Sequence, residues 1–421
     1  MKILIQSPTL LDKRSPHHLK EKNVLVQNGK ITDIGDKNFS ADRIIPAKGM
    51  YLSPGWFDLG CLSGDPGLEA KEDLASLTKT ATQAGFTDLA LLPNTQPVVQ
   101  TKADVQYVVQ GNENRLVQLH ALAAITRHTK GEEMTEMHDL HMAGAVGFTD
   151  GLKHLEHTDI FFKALQYVQR FQGLVLDHPE DRWLALFGQM HEGVTSTQLG
   201  LKGIPRLAEE VALIRNLELL AYAGGRLHVS RLSSGRSFEL IKAAKRKGLA
   251  VTCDCTTYQP VLDDSLLMNF DTHYKVSPPL REKADQESIL KALKDGTLDV
   301  LVSGHVPQDD ESKWVEFDHA EPGIINLATV GSQLVALSDE VPIEELIHKI
   351  SNAPREVLGL EAPTIQEDTK ACLTLLDPNR VWNYTEANNF SKSRNSPWLG
   401  KQLTGKVVAV FNNNKQWIDV A

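Results

Sequence analysis

The chain is poor in cysteine, in basic charge and in long apolar runs. Four cysteines in 421 residues are too few for the disulfide framework of a small secreted protein, which favours a reducing, cytoplasmic location. The excess of aspartate and glutamate gives a formal net charge of −10, which argues against a nucleic-acid partner and against an anionic membrane surface. No apolar run reaches the length of a membrane span, and the first residues lack the apolar core of a signal peptide.

Both ends of the chain are predicted to form short β-strands. They are Lys2–Gln6, Asn23–Gln27 and Lys30–Ile34 near the amino terminus, and Cys372–Leu376 and Lys406–Phe411 near the carboxyl terminus. The polar stretch at 388–395 is typical of a loop. We predict that residues 1–50 and 361–421 form one small β-sandwich domain, and that residues 51–360 form a second, larger domain.

The larger domain alternates apolar strands with amphipathic helices. Eight strands are predicted: Leu52–Leu59, Phe86–Leu92, Leu116–Ala123, Ala145–Thr149, Leu174–Asp177, Arg226–Val229, Ala250–Cys255 and Val300–Ser303. Helices are predicted between them, at Asp73–Ala84, Asp159–Phe171, Ala208–Ala223 and Arg236–Lys247. Short apolar strands that alternate with helices indicate a parallel sheet covered on both faces. Eight such units fit an α/β fold of the (β/α)8, or TIM, barrel type, with an open doubly wound sheet as the alternative.

The first barrel strand carries a recognisable frame. Pro54-Gly55-Trp56-Phe57-Asp58 runs into a turn with Asp65-Pro66-Gly67-Leu68-Glu69. This pattern resembles the first strand of the cyclic amidohydrolases, and of the dihydroorotases most closely. Further motifs resemble dihydroorotase signatures and follow in the same order: Gly203-Ile204-Pro205, Lys275-Val276-Ser277-Pro278-Pro279-Leu280-Arg281 and Lys294-Asp295-Gly296-Thr297-Leu298-Asp299-Val300.

The resemblance implies a metal centre that this chain keeps only in part. The family places two histidines on strand one, an acidic bridge on strand four, histidines on strands five and six, and an aspartate on strand eight. The matching residues here are Asp150, His178 and His228, while Gly60 and Leu62 replace the histidine pair and Gly304 replaces the aspartate. Only some of the family's substrate-binding residues are kept as well. Asn94 is retained, but Gly64 and Ser277 replace the family's arginine and asparagine, and Gln308 stands in place of a histidine.

These replacements remove the chemistry of metal-assisted hydrolysis. Glycine and leucine offer no lone pairs to a metal ion, and the missing aspartate is the group that would move a proton. We therefore expect no cofactor and no catalytic residue. The alternative is one zinc ion held by Asp150, His178 and His228, since two imidazoles and one carboxylate are formally enough for a three-ligand site.

Other candidate side chains receive simpler interpretations. Cys253 and Cys255 lie on one face of strand seven, and Cys61 lies on strand one; core packing is favoured over a soft metal site. His154 and His157 follow a turn and are expected to be solvated, and residues 308–311 are expected to form an exposed loop. His305 is expected near the barrel mouth. No Gly-rich phosphate loop or nucleophile elbow is present.

Three functions remain open. The first is a non-catalytic dihydroorotase homologue of pyrimidine biosynthesis, a pseudoenzyme that associates with aspartate transcarbamoylase, as the resemblance implies. The second is an active cyclic amidohydrolase that uses a reduced, single-metal site on dihydroorotate or carbamoyl-aspartate. The third is a sensor that binds a small molecule without turnover. A homo-oligomer is the default assembly.

Overall fold

The computed structural model describes residues 1–111 and 116–419. The chain begins with six short strands: β1 (Lys2–Gln6), β2 (Thr9–Leu10), β3 (Asn23–Gln27), β4 (Lys30–Gly35), β5 (Arg43–Pro46) and β6 (Tyr51–Pro54). Four of them form a sheet in the order β4-β3-β1-β5. The turn between β3 and β4 is Asn28-Gly29, and both residues have positive φ, as a tight hairpin requires.

Ten further strands follow: β7 (Trp56–Cys61), β8 (Phe86–Leu91), β9 (Gln118–Ala123), β10 (Ala145–Phe148), β11 (Val175–Asp177), β12 (Met190–His191), β13 (Gly203–Ile204), β14 (Leu227–Val229), β15 (Val251–Thr256) and β16 (Val300–Val302). β12 and β13 pair with each other. The other eight form one parallel sheet in chain order, which curls into a nearly closed barrel. The predicted (β/α)8 barrel is therefore confirmed, and its eight strands are strands one to eight of the prediction.

Helices cover the outside of the barrel. They are α1 (Leu74–Ala84), α2 (Lys102–Gln110), α3 (Met137–Met142), α4 (Thr158–Val168), α5 (Arg182–Ala185), α6 (Val194–Leu199), α7 (Arg206–Ala223), α8 (Gly235–Arg246), α9 (Lys283–Lys294), α10 (Asp310–Lys313), α11 (Val330–Leu337), α12 (Ile343–Ile350) and α13 (Asn352–Leu358). Short 3-10 turns lie between them, including Asp264–Asn269 and Thr272–Tyr274. No helix of the described ranges is long and apolar enough to cross a membrane.

Helix α1 shows how the sequence places these elements. The Asp73 side chain accepts a hydrogen bond from the Ser76 amide and caps the first turn. Leu77 and Ala81 lie one turn apart and are fully buried against the barrel. The helix ends at Gly85, whose φ of 99° favours glycine and whose N–H bonds to the last turn.

The two chain ends form a sandwich beside the barrel. The carboxyl-terminal strands are β17 (Leu373–Asn383), β18 (Gln402–Asn412) and β19 (Lys415–Ile418). They join β6 and β2 in a five-stranded sheet, whose apolar side chains share one core with the amino-terminal sheet. The small β-sandwich made from both chain ends is thus confirmed.

One predicted strand is in fact two elements. The sequence suggested a continuous strand over Leu52–Leu59, but β6 pairs with β17 in the sandwich whereas β7 belongs to the barrel. The chain bends at Pro54-Gly55, where a Cβ on Gly55 would lie 2.3 Å from the Thr87 side chain. Only glycine allows this close approach. The division of the domains at residue 50 stays a prediction, although β6 lies just beyond it and joins the sandwich sheet.

A buried carboxylate closes the barrel. Strands one and eight, β7 and β16, share no backbone ladder in the sheet order. Instead the Asp58 carboxylate on β7 accepts hydrogen bonds from the Ser303 amide, at 2.7 Å, and from the Ser303 hydroxyl. The Leu62 amide adds a bond to the His305 carbonyl at 3.0 Å. These contacts set the distance between the first and last strand at the mouth.

Replacing Asp58 is expected to destabilise the barrel. In Asp58→Ala, the buried Ser303 amide and hydroxyl lose their acceptor, so we expect the free energy of unfolding to fall by about 3 kcal/mol. Urea denaturation measures this. Asp58→Asn keeps an acceptor and should cost less, and Asp339→Ala, at an exposed position, should change stability by less than about 0.5 kcal/mol. Equal stabilities of Asp58→Ala and Asp339→Ala would contradict the closing role of Asp58.

Candidate functional site at the barrel mouth

An arginine crosses the mouth of the barrel. Arg231 follows β14, and only 4% of its surface is exposed. Its backbone amide donates to Asp254 Oδ1 at 2.7 Å, and its Nη2 donates to the Gly60 carbonyl on β7 at 2.9 Å. The residue has a φ of 58°, a left-handed conformation that is uncommon outside glycine. Arg231, which follows strand six, therefore links strand six to strand one.

The guanidinium supplies positive charge among buried acidic groups. Burial raises the pKa of Asp58 above its ordinary value, while the Ser303 hydrogen bonds and the charges of His305 and Arg231 oppose that rise. Burial likewise raises the pKa of the neighbouring Cys61 thiol, and Arg231 again opposes the rise. Arginine stays protonated in proteins, so this charge is permanent.

The strand-eight position leaves no room for an acidic side chain. Gly304 has a φ of 65°, and a Cβ there would lie 2.6 Å from Thr256 Cγ2 and 2.7 Å from Tyr258 Cε1. Both of these residues are fully buried on and after strand seven. An aspartate at 304 would force the Tyr258 ring to move, so the backbone and its neighbours have packed around the glycine.

The strand-one positions are similarly adapted. A Cβ on Gly64 would lie 2.2 Å from the Leu68 carbonyl oxygen and 2.6 Å from the Glu72 carbonyl oxygen. Backbone therefore occupies the space that a side chain at 64 would need. Gly60 has a φ of 107°, a conformation unfavourable for histidine. Leu62 is half-buried and carries no polar atom on its side chain.

The three candidate metal ligands, Asp150, His178 and His228, contact different protein groups. Asp150 accepts from the Thr126 amide at 2.9 Å and from its hydroxyl, and burial raises the pKa of Asp150 to about 6. His228 is fully buried; its Nδ1 contacts Thr252 Oγ1 at 2.8 Å and its Nε2 contacts Asp254 Oδ2 at 2.9 Å. His178 Nδ1 lies 3.4 Å from a backbone carbonyl, and its buried Nε2 has no hydrogen-bond partner. Two of the three side chains are therefore held by other protein groups.

The retained asparagine has a structural role. Asn94 donates to the Asp150 carbonyl at 3.0 Å and accepts from the Leu152 amide at 3.0 Å. It therefore fixes the turn after strand four. Ser277 is half-buried in the segment before α9. Gln308, expected to be exposed, is instead buried; it accepts from Lys71 and donates to the Pro322 carbonyl, because the carboxyl-terminal loop covers it.

That loop lies over strands one and eight. Within 388–395, Ser391 donates to the Glu72 carboxylate and Asn395 donates to the Val306 carbonyl. Glu72 is fully buried, and its Oε2 lies 3.6 Å from His305 Nε2. The polar loop predicted from sequence thus covers part of the mouth.

The comparisons with known proteins point to one family. A family model described as dihydro-orotase-like matches residues 49–237. A protein named dihydroorotase from Pelobacter propionicus is 36% identical over 417 residues, 98% of each chain. Another, from Acetivibrio thermocellus, is 37% identical over 397 residues, 93% of each chain. This chain belongs to the dihydroorotase family.

Solved structures support the fold. L-hydantoinase from Arthrobacter aurescens matches with a TM-score of 0.85 at 22% identity, covering 99% of this chain and 96% of that chain. Dihydropyrimidinase from Brevibacillus agri matches with a TM-score of 0.83 at 21% identity, covering 99% and 95%. At these identities the likeness shows the amidohydrolase-type barrel alone.

The mouth of this dihydroorotase-family barrel does not fit the metal centre that the family implies. Over 1–111 and 116–419, one group of three potential ligands lies within 4.8 Å of one another, and it is His191, Glu282 and Asp285 rather than Asp150, His178 and His228. Arg231 adds a fixed positive charge beside strand one. The expectation that the protein binds no metal stays a prediction.

The His191 group already contacts two arginine side chains. Arg206 donates to both Glu282 and Asp285, and Arg281 donates to His191 Nδ1 at 3.2 Å. A metal ion between the two carboxylates would have to displace the Arg206 guanidinium, whereas the buried His191 Nε2 has no hydrogen-bond partner among the described residues. Burial and the charge of Arg281 lower the pKa of His191 to about 4, so the imidazole is neutral near pH 7.

The side chains of His154 and three of the cysteines are buried. His154, expected to be solvated, is almost buried and pairs with Asp177 Oδ2 at 2.8 Å, because the turn after strand four folds back over strand five. Cys61, Cys253 and Cys255 are buried in the apolar core. Burial raises the pKa of all three thiols, and within the described residues none of them belongs to a group of three or more potential metal ligands.

Sequence reasoning missed the residues that fill the mouth, namely Arg231, Tyr258 and Glu72. The one available signal was an arginine three residues after His228, at the carboxyl end of strand six. That the side chain crosses to Gly60 depends on the tertiary structure.

Removing the guanidinium is expected to expose its charge-balancing role. In Arg231→Met the Gly60 carbonyl loses its donor and Asp58 loses a cation, so the free energy of unfolding should fall by about 3 kcal/mol at pH 7. The pKa of Asp58 rises further without the cation, so the loss should shrink as the pH falls. Urea denaturation from pH 5 to 8 tests this, with Arg231→Lys as the charge-preserving control. A loss that does not change with pH would contradict it.

The lowered pKa of His191 predicts that the protein loses stability in acid. An imidazole with a pKa near 4 in the folded state and near 6.5 in the unfolded state contributes stability that is lost as the pH falls through this range. His191→Gln keeps an acceptor for Arg281 but cannot take up a proton. Between pH 6.5 and 4 its free energy of unfolding should therefore fall less than that of the wild type, with a difference of up to about 3 kcal/mol. Parallel pH curves for the two proteins would rule this out.

Proposed function

We propose that this dihydroorotase-family protein acts in pyrimidine biosynthesis as a non-catalytic partner of aspartate transcarbamoylase. The observation that carries the proposal is Arg231, whose guanidinium bonds to Gly60 where the family has the first of its two strand-one histidines. The surrounding groups are packed to match, with Tyr258 beside Gly304 and backbone against Gly64.

The chemistry follows from these side chains. Hydrolysis of a cyclic amide at neutral pH needs a group that activates water and a base that takes its proton. A guanidinium stays protonated and can do neither. His228 is held between Thr252 and Asp254, and Gly304 offers no carboxylate. The remaining polar groups of the mouth therefore act as scaffold.

The alternative is an active hydrolase with a single metal ion. The names of the relatives favour it, since proteins 36% and 37% identical over nearly the full chain are called dihydroorotase. His178 also has a buried Nε2 without a partner, the kind of atom that a metal could take. The sensor hypothesis is weaker, because the Asn94 amide is already bonded to backbone.

An activity assay separates the two candidates. The purified protein, with added zinc or manganese, is given dihydroorotate and, separately, carbamoyl-aspartate, with the Acetivibrio thermocellus dihydroorotase as the reference. We expect no turnover above the level of Arg231→Met, and no zinc or manganese retained by elemental analysis. Turnover that His178→Ala abolishes would establish the hydrolase and overturn the non-catalytic proposal.

The partner is tested by association. The full-length protein and the aspartate transcarbamoylase of the same organism are mixed and measured by size-exclusion chromatography with light scattering. A complex of defined stoichiometry is expected. The same measurement on the protein alone tests the expected homo-oligomer. Separate elution at micromolar concentrations of both proteins would count against the partner.

A further inference from the structure

Exposed apolar side chains gather around the outer rim of the barrel mouth. They lie on the segments that follow strands five, seven and eight. Phe187, Trp314 and Trp183 are 75%, 74% and 66% exposed. The remaining members are Leu186, Val194, Leu266, Met268, Phe270 and Val315. We call these nine residues the rim patch.

The segments that carry the rim patch pack on one small core. Met190 of β12, Leu267 of the 3-10 turn and Phe317 after α10 are buried together. The Phe270 ring packs edge-on against Phe317, with 6.3 Å between ring centroids. α6, which carries Val194, packs against the 3-10 turn at 264–269. These contacts bring the segments that follow strands five, seven and eight together at the rim.

Buried lysines fix this region. Lys275 Nζ donates to Gln189 Oε1 and to the Phe317 carbonyl, each at 2.6 Å. Lys313 Nζ donates to the carbonyls of Glu321 and Gly323 at 2.8 and 3.2 Å. Phe187 and Phe270 have φ of 60° and 55°, which is costly for an aromatic residue. The fold thus holds these rings outward in unfavourable backbone conformations.

The exposed area is large for a monomer. Each large aromatic side chain offers roughly 150–250 Å², so the three most exposed rings alone present on the order of 400 Å². The other six residues take the rim patch beyond the few hundred Å² that is usual for a soluble protein. A stable interface buries about 800 Å² on each side, so the rim patch would supply the apolar centre of such an interface.

The border of the rim patch is acidic. Exposed carboxylates lie within or after α10, or just before α6: Glu192, Glu311, Glu316, Asp318 and Glu321. None of the five takes part in an ion pair within the described ranges. Two exposed cations lie against the rim patch itself: Arg182 is near Glu156 and over the Trp183 ring, and Lys202 lies over the Phe187 ring. An acidic border repels an anionic membrane, and it repels a second copy of this chain, whose net charge is −10.

We infer that the rim patch is a docking surface for a protein whose own face has an apolar centre and a basic border. The inference rests on the proposed function, because it assigns the surface through which a non-catalytic partner would act. Aspartate transcarbamoylase is the occupant to test. The homo-oligomer expected from the sequence would use another face of the molecule.

The decisive experiment compares matched surface variants of the full-length protein. Phe187→Ser with Trp314→Ser removes two rim aromatics, and Tyr222→Ser removes an aromatic that is 85% exposed at the end of α7, on the opposite side of the barrel. Glu311→Lys with Glu316→Lys reverses the border charge, and Glu239→Lys on α8 is its control. Binding to aspartate transcarbamoylase is measured by light scattering and by calorimetry at two salt concentrations, after circular dichroism has checked the fold.

We expect both rim variants to weaken binding at least tenfold while both controls bind as the wild type does. The charge reversal should also remove most of the salt dependence. If the wild type binds and the rim variants bind equally well, the docking surface is wrong and the partner stands. If the wild type does not bind, the proposed partner and its docking here both fail.

Two further outcomes would replace the occupant. A wild-type oligomer that becomes monomeric only in Phe187→Ser with Trp314→Ser would assign the rim patch to a second copy of this chain. Co-sedimentation of the wild type, but not of this variant, with phosphatidylserine–phosphatidylcholine vesicles would assign it to a membrane. Either result overturns the inference.

Discussion

The barrel depends on one buried carboxylate that joins its ends. Asp58 on strand one accepts two hydrogen bonds from Ser303 on strand eight, where no backbone ladder connects the two strands. A carboxylate in the dry interior is costly unless it is bonded and balanced by charge. The structure provides both, with Ser303 as the donor and Arg231 as a nearby cation.

Arg231 links the closing contact to the question of function. The metal centre of the family would place positive charge at the mouth, among carboxylates from several strands. Here a protein cation lies beside strand one and bonds to Gly60. It can balance the buried acids without activating water. This is a physical reason why the barrel can stay folded while the ligands on strands one and eight are missing, and it supports the non-catalytic role that we propose.

The inside and the outer rim of the mouth differ in character. Inside, several polar groups are hydrogen-bonded within the protein: Asn94 with backbone, His228 with Asp254, and Ser391 with Glu72. His178 Nε2 is an exception, with no such bond to the described residues. At the rim, large aromatic residues are held in solvent. The first arrangement favours stability and the second favours association, since exposed rings gain free energy only when another surface covers them. Both arrangements agree with the proposed role as a non-catalytic partner.

Periodicity in the sequence was sufficient for the eight barrel strands, for four of the helices and for the strands at both chain ends, because alternation and helical spacing follow from which faces are buried. The order of motifs was sufficient for the family. That metal ligands are missing at Gly60, Leu62 and Gly304 rests on the family resemblance and stays a prediction. The chain's path at Pro54-Gly55, the burial of His154 and the reach of Arg231 to Gly60 were decided by tertiary structure alone. Each depends on contacts between residues far apart in the chain, such as Gly55 with Thr87 and Arg231 with Gly60, about which local pattern carries no information.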